Sequence, residues 1–198
     1  ASPLRYLRMS PLAPLLNRRS TPSRLLVEPA PSGTELTQLI DAALRVPDHG
    51  RLQPWRLVSI SGDARSALGK ALVELRQNRG DALDAAAIDK DLHRFDRAPL
   101  VLMVVARLTA GHKIPQQEQL LSAGALAQNL LIGAECLGYG AQWLTGWPAY
   151  DRDAARLFGL TDNEHVVAFI YLGSKPGDLP PDRERPSAAQ LLIEWRPA

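Results

Sequence analysis

The sequence predicts an α+β domain in which helices flank a central β-sheet and one long helix is buried at the core. Residues 98–106 (APLVLMVVA) and 165–173 (HVVAFIYLG) are almost continuously apolar, as strands buried on both faces are. The segment 117–137 is too long for a strand and is apolar over most of its length. Its polar residues, which include Gln128 and Glu135, indicate a buried helix rather than a membrane span.

The first half of the chain is expected to hold two further helices and a third strand. Residues 32–46 give the clearest helix, because Ser32 and Glu35 match a capping box and apolar residues follow at helical spacing. Pro47 ends this helix, since proline disfavours helical geometry at the residue before it. The segment WRLVSI is then predicted to be a strand, and a helix over 63–79 follows it.

The second half of the chain gives weaker signals between its two apolar strands. Residues 80–96 are rich in charge and predict no definite element. The segment AQWLTGWPAY, residues 141–150, is expected to form a loop or a short strand. Asp151 is expected to cap a short helix that ends at Gly159.

The domain organisation predicted is a single domain, residues 15–198, with a C-terminal arm over 174–198. Residues 1–14 are an N-terminal extension that need not be ordered, and their prolines and arginines interrupt the apolar run that a signal peptide needs. The arm is rich in proline but ends in the apolar segment AAQLLIEW. Because three strong strands make a thin core, we expect a partner subunit to complete it.

Composition and motifs exclude several classes of protein. Of the 198 residues 45% are hydrophobic, and 23 Lys and Arg against 21 Asp and Glu leave a net charge of only +2, so no nucleic-acid partner is predicted. The single cysteine, Cys136, excludes an internal disulfide and favours the cytoplasm. The histidines are scattered, so no metal site is predicted, and the P-loop, G-x-G-x-x-G and G-x-S-x-G motifs are absent.

Three polar segments are candidates for ligand binding, and each has a plainer structural explanation. NRRSTPSR, residues 17–24, offers guanidinium groups and hydroxyls that suit a phosphate, or it is a solvated basic turn. RVPDHGRLQPWR, residues 45–56, is a polar cluster or a simple helix-to-strand connection. In GYGAQWLTGW, residues 138–147, the paired glycines allow close backbone approach to a ligand, or they form a helix cap and turn.

Taken in this order, the segments resemble the FMN-dependent nitroreductase family, and most closely its small bacterial NAD(P)H-dependent members. The resemblance extends from about Leu15 to Gly173. It rests on these short matches: Asn17-Arg18-Arg19-Ser20, Glu28-Pro29-Ala30-Pro31, Pro47-Asp48-His49, Gln53-Pro54-Trp55, His112-Lys113-x-Pro115 with Glu118-Gln119, and Ser122-Ala123-Gly124. Each match is weak alone, but their order and spacing are fairly specific.

The resemblance implies a nitroreductase-like α+β fold with a central mixed sheet, a buried core helix and an interlocked homodimer. It also implies an oxidoreductase in which NADH or NADPH reduces bound FMN, which then reduces a flat small molecule such as a nitroaromatic or a quinone. No catalytic side chain is expected, because flavin N5 carries the chemistry. No membrane partner is expected. A flavin or nucleotide binder without turnover, and another flavoenzyme of the same fold, remain alternatives.

Nine residues are carried over from the family as FMN-binding positions. Arg18, Arg19 and Ser20 would hold the phosphate, the ribityl chain and the pyrimidine edge, and Arg24 would lie near the N1–O2 edge of the ring. The remaining five would surround the ring: two of them, Arg45 and His49, from the other subunit, and three, Trp143, Leu144 and Thr145, lining it near N5 mostly through backbone groups.

The sequence departs from the family pattern at three places. Pro22 lengthens the segment between Ser20 and Arg24, which puts the register of Arg24 in doubt. Leu144 stands where close relatives tend to carry arginine, so one polar contact is lost. Arg183 and Arg185 have the spacing of a basic pair that distant members place on the phosphate, but an exposed charged loop is the simpler explanation.

Overall fold

A four-stranded antiparallel sheet forms the centre of the protein. The computed structural model describes residues 10–177 and 181–197. The strands lie in the spatial order β1-β2-β4-β3, and their bounds are β1 Trp55–Ser61, β2 Leu100–Arg107, β3 Tyr139–Leu144 and β4 Glu164–Ser174. The α+β class is confirmed, but the expected mixed sheet is wrong for these strands, since each neighbouring pair is antiparallel. Parallel pairing in the described chain is limited to an isolated bridge between Ser20 and Ala141, because a short loop segment rather than a strand follows the free edge of β3.

Seven α-helices and three 3-10 turns surround this sheet in the described part of the chain. The helices are α1 Ala13–Asn17, α2 Gly33–Ala43, α3 Asp63–Asn78, α4 Ala85–Leu92, α5 Gln116–Cys136, α6 Arg152–Leu157 and α7 Ala188–Leu191. The turns are Ser23–Leu25, His49–Arg51 and Trp147–Ala149. Most of the predicted extension lies outside the described residues, although its last two positions already belong to α1. Among the helices described, none combines the length and hydropathy that a membrane span requires.

Apolar side chains on both faces of the sheet explain why β2 and β4 are continuously apolar. On one face Phe95, Met103 and Phe169 pack in a cluster whose aromatic rings meet edge to face. On the other face the residues of α2 and α5 cover the sheet, with Leu39 and Leu130 fully buried. The sheet therefore lies between two helical layers, and strands buried on both faces carry no polar alternation.

The long helix α5 is the core element that the sequence predicts, and it begins and ends within a residue of the predicted bounds. Small residues on its inner face bring its backbone close to neighbouring elements. A Cβ at Gly133 would lie 2.5 Å from a methyl group of Leu39, so this glycine makes room for a core side chain of α2. Packing of α2 on α5 fixes where the loop after α2 emerges.

One local prediction is wrong, one segment that was left open contains a helix, and two predictions are confirmed. Ser32 precedes α2 without a side-chain capping hydrogen bond, and the Glu35 carboxylate instead accepts a 2.7 Å hydrogen bond from the Tyr139 hydroxyl. The charged segment 80–96, for which no element was predicted, contains the helix α4. Asp151 caps α6 as predicted, accepting hydrogen bonds from two backbone N–H groups. Residues 141–150, predicted to be a loop or a short strand, form the end of β3 up to Leu144 and then the turn Trp147–Ala149.

Candidate functional site

A small basic pocket lies beside the edge strand β3, and most of its lining residues come from near the two ends of the chain. Its volume is about 140 Å³, and we call it the arginine pocket; it is lined by Arg19, Ser20, Pro22, Gln142, Pro181, Asp182, Arg183 and Arg185. Three guanidinium groups and one carboxylate give its lining a formal charge of +2. Arginine donates in a planar fork that matches phosphate oxygens, so this donor set suits a phosphate monoester.

Backbone contacts to β3 hold the NRRS segment at the pocket. The N–H of Thr21 donates to the Ala141 carbonyl at 3.0 Å, and the N–H of Ser23 donates to Oε1 of Gln142 at 2.6 Å. A Cβ at Gly140 would lie 3.0 Å from the Thr21 hydroxyl and 2.6 Å from a methyl group of Leu26. This glycine therefore allows close approach of the chain's own segment, and the expectation that it serves a ligand is not needed to explain it.

The flavin-lining residues predicted from the family follow the pocket along β3. Gln142 lines the pocket, and Trp143 and Leu144 continue the strand opposite Ile170 and Phe169 of β4. Trp143, Leu144 and Thr145 are each partly exposed. At about 3.3 Å per residue, roughly 10 Å of strand separate Gln142 from Thr145. The pocket and the predicted ring-binding segment thus share one rigid element.

The strand ends in a turn that only glycine can make. Gly146 has φ 104° and ψ −178°, a conformation that side-chain-bearing residues avoid, and the 3-10 turn Trp147–Ala149 follows at once. The Trp147 indole N–H donates to both carboxylate oxygens of Asp91, at 2.9 and 3.1 Å. Asp91 is buried and belongs to α4, so the turn after β3 is fastened to a helix on the face of the sheet.

Arg45 and His49 lie on a strained loop that contacts α5. Gly50, Arg51 and Gln53 all have positive φ, between 47° and 72°. For residues other than glycine this costs about 1–3 kcal/mol each, and such strain clusters at functional sites. The Asp48 carboxylate holds the loop closed by accepting hydrogen bonds of 3.0 Å from the N–H groups of Leu52 and Gln53.

The helix α5 anchors this loop through side chains that belong to the short matched motifs. Nδ1 of His49 lies 2.7 Å from Oε2 of Glu118, and the Trp55 indole N–H donates to the Ser122 hydroxyl at 3.0 Å. Ser122 in turn donates to the Pro47 carbonyl at 2.7 Å. Motifs that are separated in sequence therefore form one contact network.

The structure brings together some of the predicted site residues and not others. Arg19 and Ser20 line the arginine pocket, and Arg183 and Arg185 line it with them, although the sequence left their role open. Arg18 follows α1 half-buried and Arg24 is exposed, and neither is among the lining residues of the pocket. Arg45 and His49 do not line it either, so in a single chain they stand apart from the candidate site.

Comparison with known proteins decides the family. The sequence model of the "Nitroreductase family" matches residues 15–174. The chain belongs to the nitroreductase family. This confirms the resemblance inferred from the short motifs.

Individual relatives agree with the assignment to the nitroreductase family. A chain of Escherichia coli strain K12, provisionally named NAD(P)H nitroreductase YdjA, is 37% identical over 166 residues, which cover 84% of this chain and 88% of the relative. A nitroreductase-like protein from Bacillus cereus superimposes with a TM-score of 0.74 at 22% identity, covering 93% and 95% of the two chains. A structure from Desulfovibrio desulfuricans, provisionally described as a nitroreductase in complex with FMN, gives 0.71 at 23% identity, covering 95% and 99%. These structures share the fold of this chain.

Three residues at or near this site in the nitroreductase-family chain were not predicted from the sequence. Gln142 directly precedes the predicted ring-binding residues, so its position in the strand was the available signal. Asp182 directly precedes Arg183, the first of the two tail arginines, and only the fold shows that it enters the pocket. Asp91 lies in the segment that predicted no element, and its burial gave no signal in a charged sequence. Metal-ion clusters of three or more His, Cys, Asp or Glu side chains do not occur among the described residues.

Proposed function

We propose that this protein is an FMN-dependent oxidoreductase that takes electrons from NADH or NADPH and delivers them to a flat small-molecule acceptor, such as a nitroaromatic or a quinone. One observation carries the proposal: a basic, phosphate-sized pocket adjoins the strand that leads to Trp143, Leu144 and Thr145. The name of the E. coli relative and the FMN in the D. desulfuricans structure support the same chemistry.

The arginine pocket fits the phosphate end of FMN. A phosphate monoester carries about −1.5 to −2 charges at neutral pH, and the pocket lining carries +2. Arg19, Arg183 and Arg185 would donate to phosphate oxygens, and the Ser20 hydroxyl would add a further donor. Arg18 would support this end from its half-buried position. The side-chain oxygen of Gln142 accepts a hydrogen bond from the backbone N–H of Ser23, which keeps the arginine-bearing segment on the strand.

The ring end of the site would lie along the end of β3. Trp143, Leu144 and Thr145 would line the ring with backbone groups, and Arg24 would stabilise negative charge near its N1–O2 edge. When bound, the flavin supplies the redox chemistry, as hydride acceptor and then as electron donor. The chain's own contribution is to bind, orient and surround it, so no catalytic side chain is required.

We infer that the functional unit is an interlocked homodimer with composite sites. Most of the exposed large apolar side chains in the described chain lie on or next to α1, on the first turns of α5 and on the arm; these are Leu12, Leu15, Leu16, Leu120, Leu121, Leu191, Leu192, Ile193 and Trp195. Apolar patches of this kind mark subunit contacts. In the dimer, the strained loop would carry Arg45 and His49 to the flavin of the partner. The exposed free thiol of Cys136 suits a reducing compartment, and we propose the cytoplasm.

Flavin content and its response to reduced nicotinamide test the proposal. The purified protein should be yellow or take up FMN stoichiometrically, and NADH or NADPH should bleach the flavin under anaerobic conditions. A nitroaromatic or a quinone should then restore the colour. A protein that takes up no FMN contradicts the proposal at its first step. Bound flavin that neither nicotinamide reduces identifies a binder without turnover, and bleaching without transfer to these acceptors points to another flavoenzyme of the same fold.

A further inference from the structure

A charged cluster is buried beneath the turn that follows the flavin-lining segment. Asp91 of α4 is only 2% exposed, and Arg94 is 8% exposed. Arg94 donates two hydrogen bonds to Oδ1 of Asp91, and Arg76 of α3 donates one to Oδ2 at 2.9 Å. Trp147 adds its indole N–H, so the carboxylate of Asp91 joins two helices to the turn.

Both sides of the turn contact this cluster. On one side a Cβ at Gly146 would lie 2.9 Å from Nη1 of Arg94, so the guanidinium packs directly against the glycine. On the other side the guanidinium groups of Arg76 and Arg79 lie 5.3 and 5.9 Å from the centroid of the Trp147 ring. At these distances a cation attracts the face of an indole ring. The turn is therefore held from the helix side by polar contacts as well as by packing.

Stability alone does not account for a buried charged cluster. Burial tends to raise the pKa of Asp91, but hydrogen bonds from Arg94, Trp147 and Arg76 outweigh it and lower the pKa. The carboxylate is thus charged in the core, where desolvation offsets much of the attraction between the charges. Well-packed apolar residues in the same place would stabilise the fold to a similar extent. Directed hydrogen bonds, in contrast, also hold the turn in one conformation.

We propose that Asp91 is a positioning residue, which through Trp147 and Arg94 sets the direction of the backbone at Thr145 and Gly146 toward the flavin ring. This inference rests on the proposed function, because the direction of these backbone groups affects a reaction only when a flavin is bound beside them. Asp91 itself lies on α4 and acts through the turn. A shift of about 1 Å at a reacting centre can slow a reaction by roughly a hundredfold, so rigid support of these backbone groups has a measurable consequence.

Two substitutions separate positioning from stability, with a third as matched control. Trp147→Phe keeps an aromatic ring beside Arg76 and Arg79 but removes the donor to Asp91. Asp91→Asn keeps an acceptor for Trp147 but removes the charge. Glu164→Gln is the control, because it also neutralises a buried carboxylate that is hydrogen-bonded to an arginine, Arg56, elsewhere in the fold.

The measurements are FMN content, the visible spectrum of bound flavin, the rate of its reduction over a range of NADH concentrations, and amide exchange of residues 144–150. Trp147→Phe should retain FMN, shift the spectrum and slow reduction roughly ten- to a hundredfold with little change in KM. Asp91→Asn, which weakens the hydrogen bonds from Arg76 and Arg94, should behave in the same way. In both, exchange at 144–150 should be faster in the apoprotein too, because local hydrogen bonding and packing are lost. Glu164→Gln should lose stability without any of these changes.

These measurements distinguish failure of the positioning role from failure of the proposed function. If Trp147→Phe loses stability like the control but leaves the spectrum, the reduction rate and the exchange at 144–150 unchanged, the cluster is merely structural and the inference is overturned. If the wild-type protein binds no FMN, the proposed function fails instead. In that case faster exchange in the Trp147→Phe apoprotein still supports the hold of Asp91 on the turn, and unchanged exchange overturns it.

Discussion

The side-chain oxygen of Gln142 accepts a 2.6 Å hydrogen bond from the backbone N–H of Ser23, which fastens the arginine-bearing segment to the edge strand. Neither residue in this hydrogen bond is an arginine, but the bond holds the segment that carries Arg19 beside the tail arginines, Arg183 and Arg185. We predict that Gln142→Leu weakens FMN binding roughly five- to tenfold, because a hydrogen bond of this kind contributes about 1 kcal/mol and its loss also frees the segment. Quenching of flavin fluorescence measures the change. Gln128→Leu, at an exposed position of α5, is the control, and equal binding by the two variants would count against the role of Gln142.

Thr145 should matter through its backbone rather than its side chain. Oxidised flavin N5 accepts a hydrogen bond, and under the proposed function the backbone N–H of Thr145, which directly follows β3, would donate it. Thr145→Ala should therefore leave flavin reduction within about twofold of wild type, whereas Thr145→Pro, which removes the N–H, should slow it roughly a hundredfold. Stopped-flow reduction by NADH gives both rates. The assignment is contradicted if the two variants are slowed to the same extent.

The ion pair of Arg56 and Glu164 should make stability depend on acid pH. Hydrogen bonds from Arg56 lower the pKa of Glu164 from 4.5 to about 2, despite the opposing effect of burial. A carboxylate whose pKa is lower in the folded chain stabilises the fold above its unfolded pKa, and this stabilisation is lost as the pH falls.

Glu164→Gln should therefore destabilise the protein by roughly 2–3 kcal/mol at neutral pH. The difference between wild type and variant should shrink as the pH falls from 4.5 to about 2. Urea unfolding over a series of pH values measures it. A difference that stays constant across that range would show that the ion pair is not responsible.

The C-terminal arm should be needed for both assembly and cofactor binding. Leu191, Leu192 and Trp195 are 69–82% exposed in the single chain, so burial of this surface requires another partner. Deleting the residues after Pro186 should yield a monomer with little bound FMN, as judged by sedimentation and flavin absorbance. Deleting only the last two residues is the control. A shortened chain that is monomeric yet holds FMN fully would show that one chain builds the site alone.

The sequence predicted the elements whose signal is local. β2, β4 and α5 are apolar over most of their length because both faces of the strands and the inner face of the helix are buried, and such hydrophobicity is visible in a single segment. β3 was less clear, because this edge strand contains a glycine and a glutamine and, among the strands described, pairs only with β4. The capping box at Ser32 failed because Glu35 found a distant partner, the Tyr139 hydroxyl.

The candidate site was predictable only where its residues are adjacent in sequence. Arg19 with Ser20, and Trp143 with its two successors, follow each other directly, and the family pattern marked them. The arginine pocket also needs Arg183 and Arg185 from the far end of the chain, and only the fold brings them to Arg19. Asp91 could not be identified from the sequence, since nothing in a charged segment distinguishes an aspartate that becomes buried from one that stays exposed. Only the fold shows that Trp147 contacts it.

The difference in affinity between FMN and riboflavin tests the central claim most directly, because the two ligands differ only in the phosphate. Calorimetric titration of the apoprotein should give FMN binding at least about a hundredfold tighter than riboflavin, as expected for several charge-assisted hydrogen bonds. In the Arg19→Ala, Arg185→Ala double variant this preference should largely disappear, while Arg156→Ala, at an exposed arginine of α6, should keep it. Equal affinity of the wild-type protein for the two flavins, or an unchanged preference in the double variant, would contradict the account.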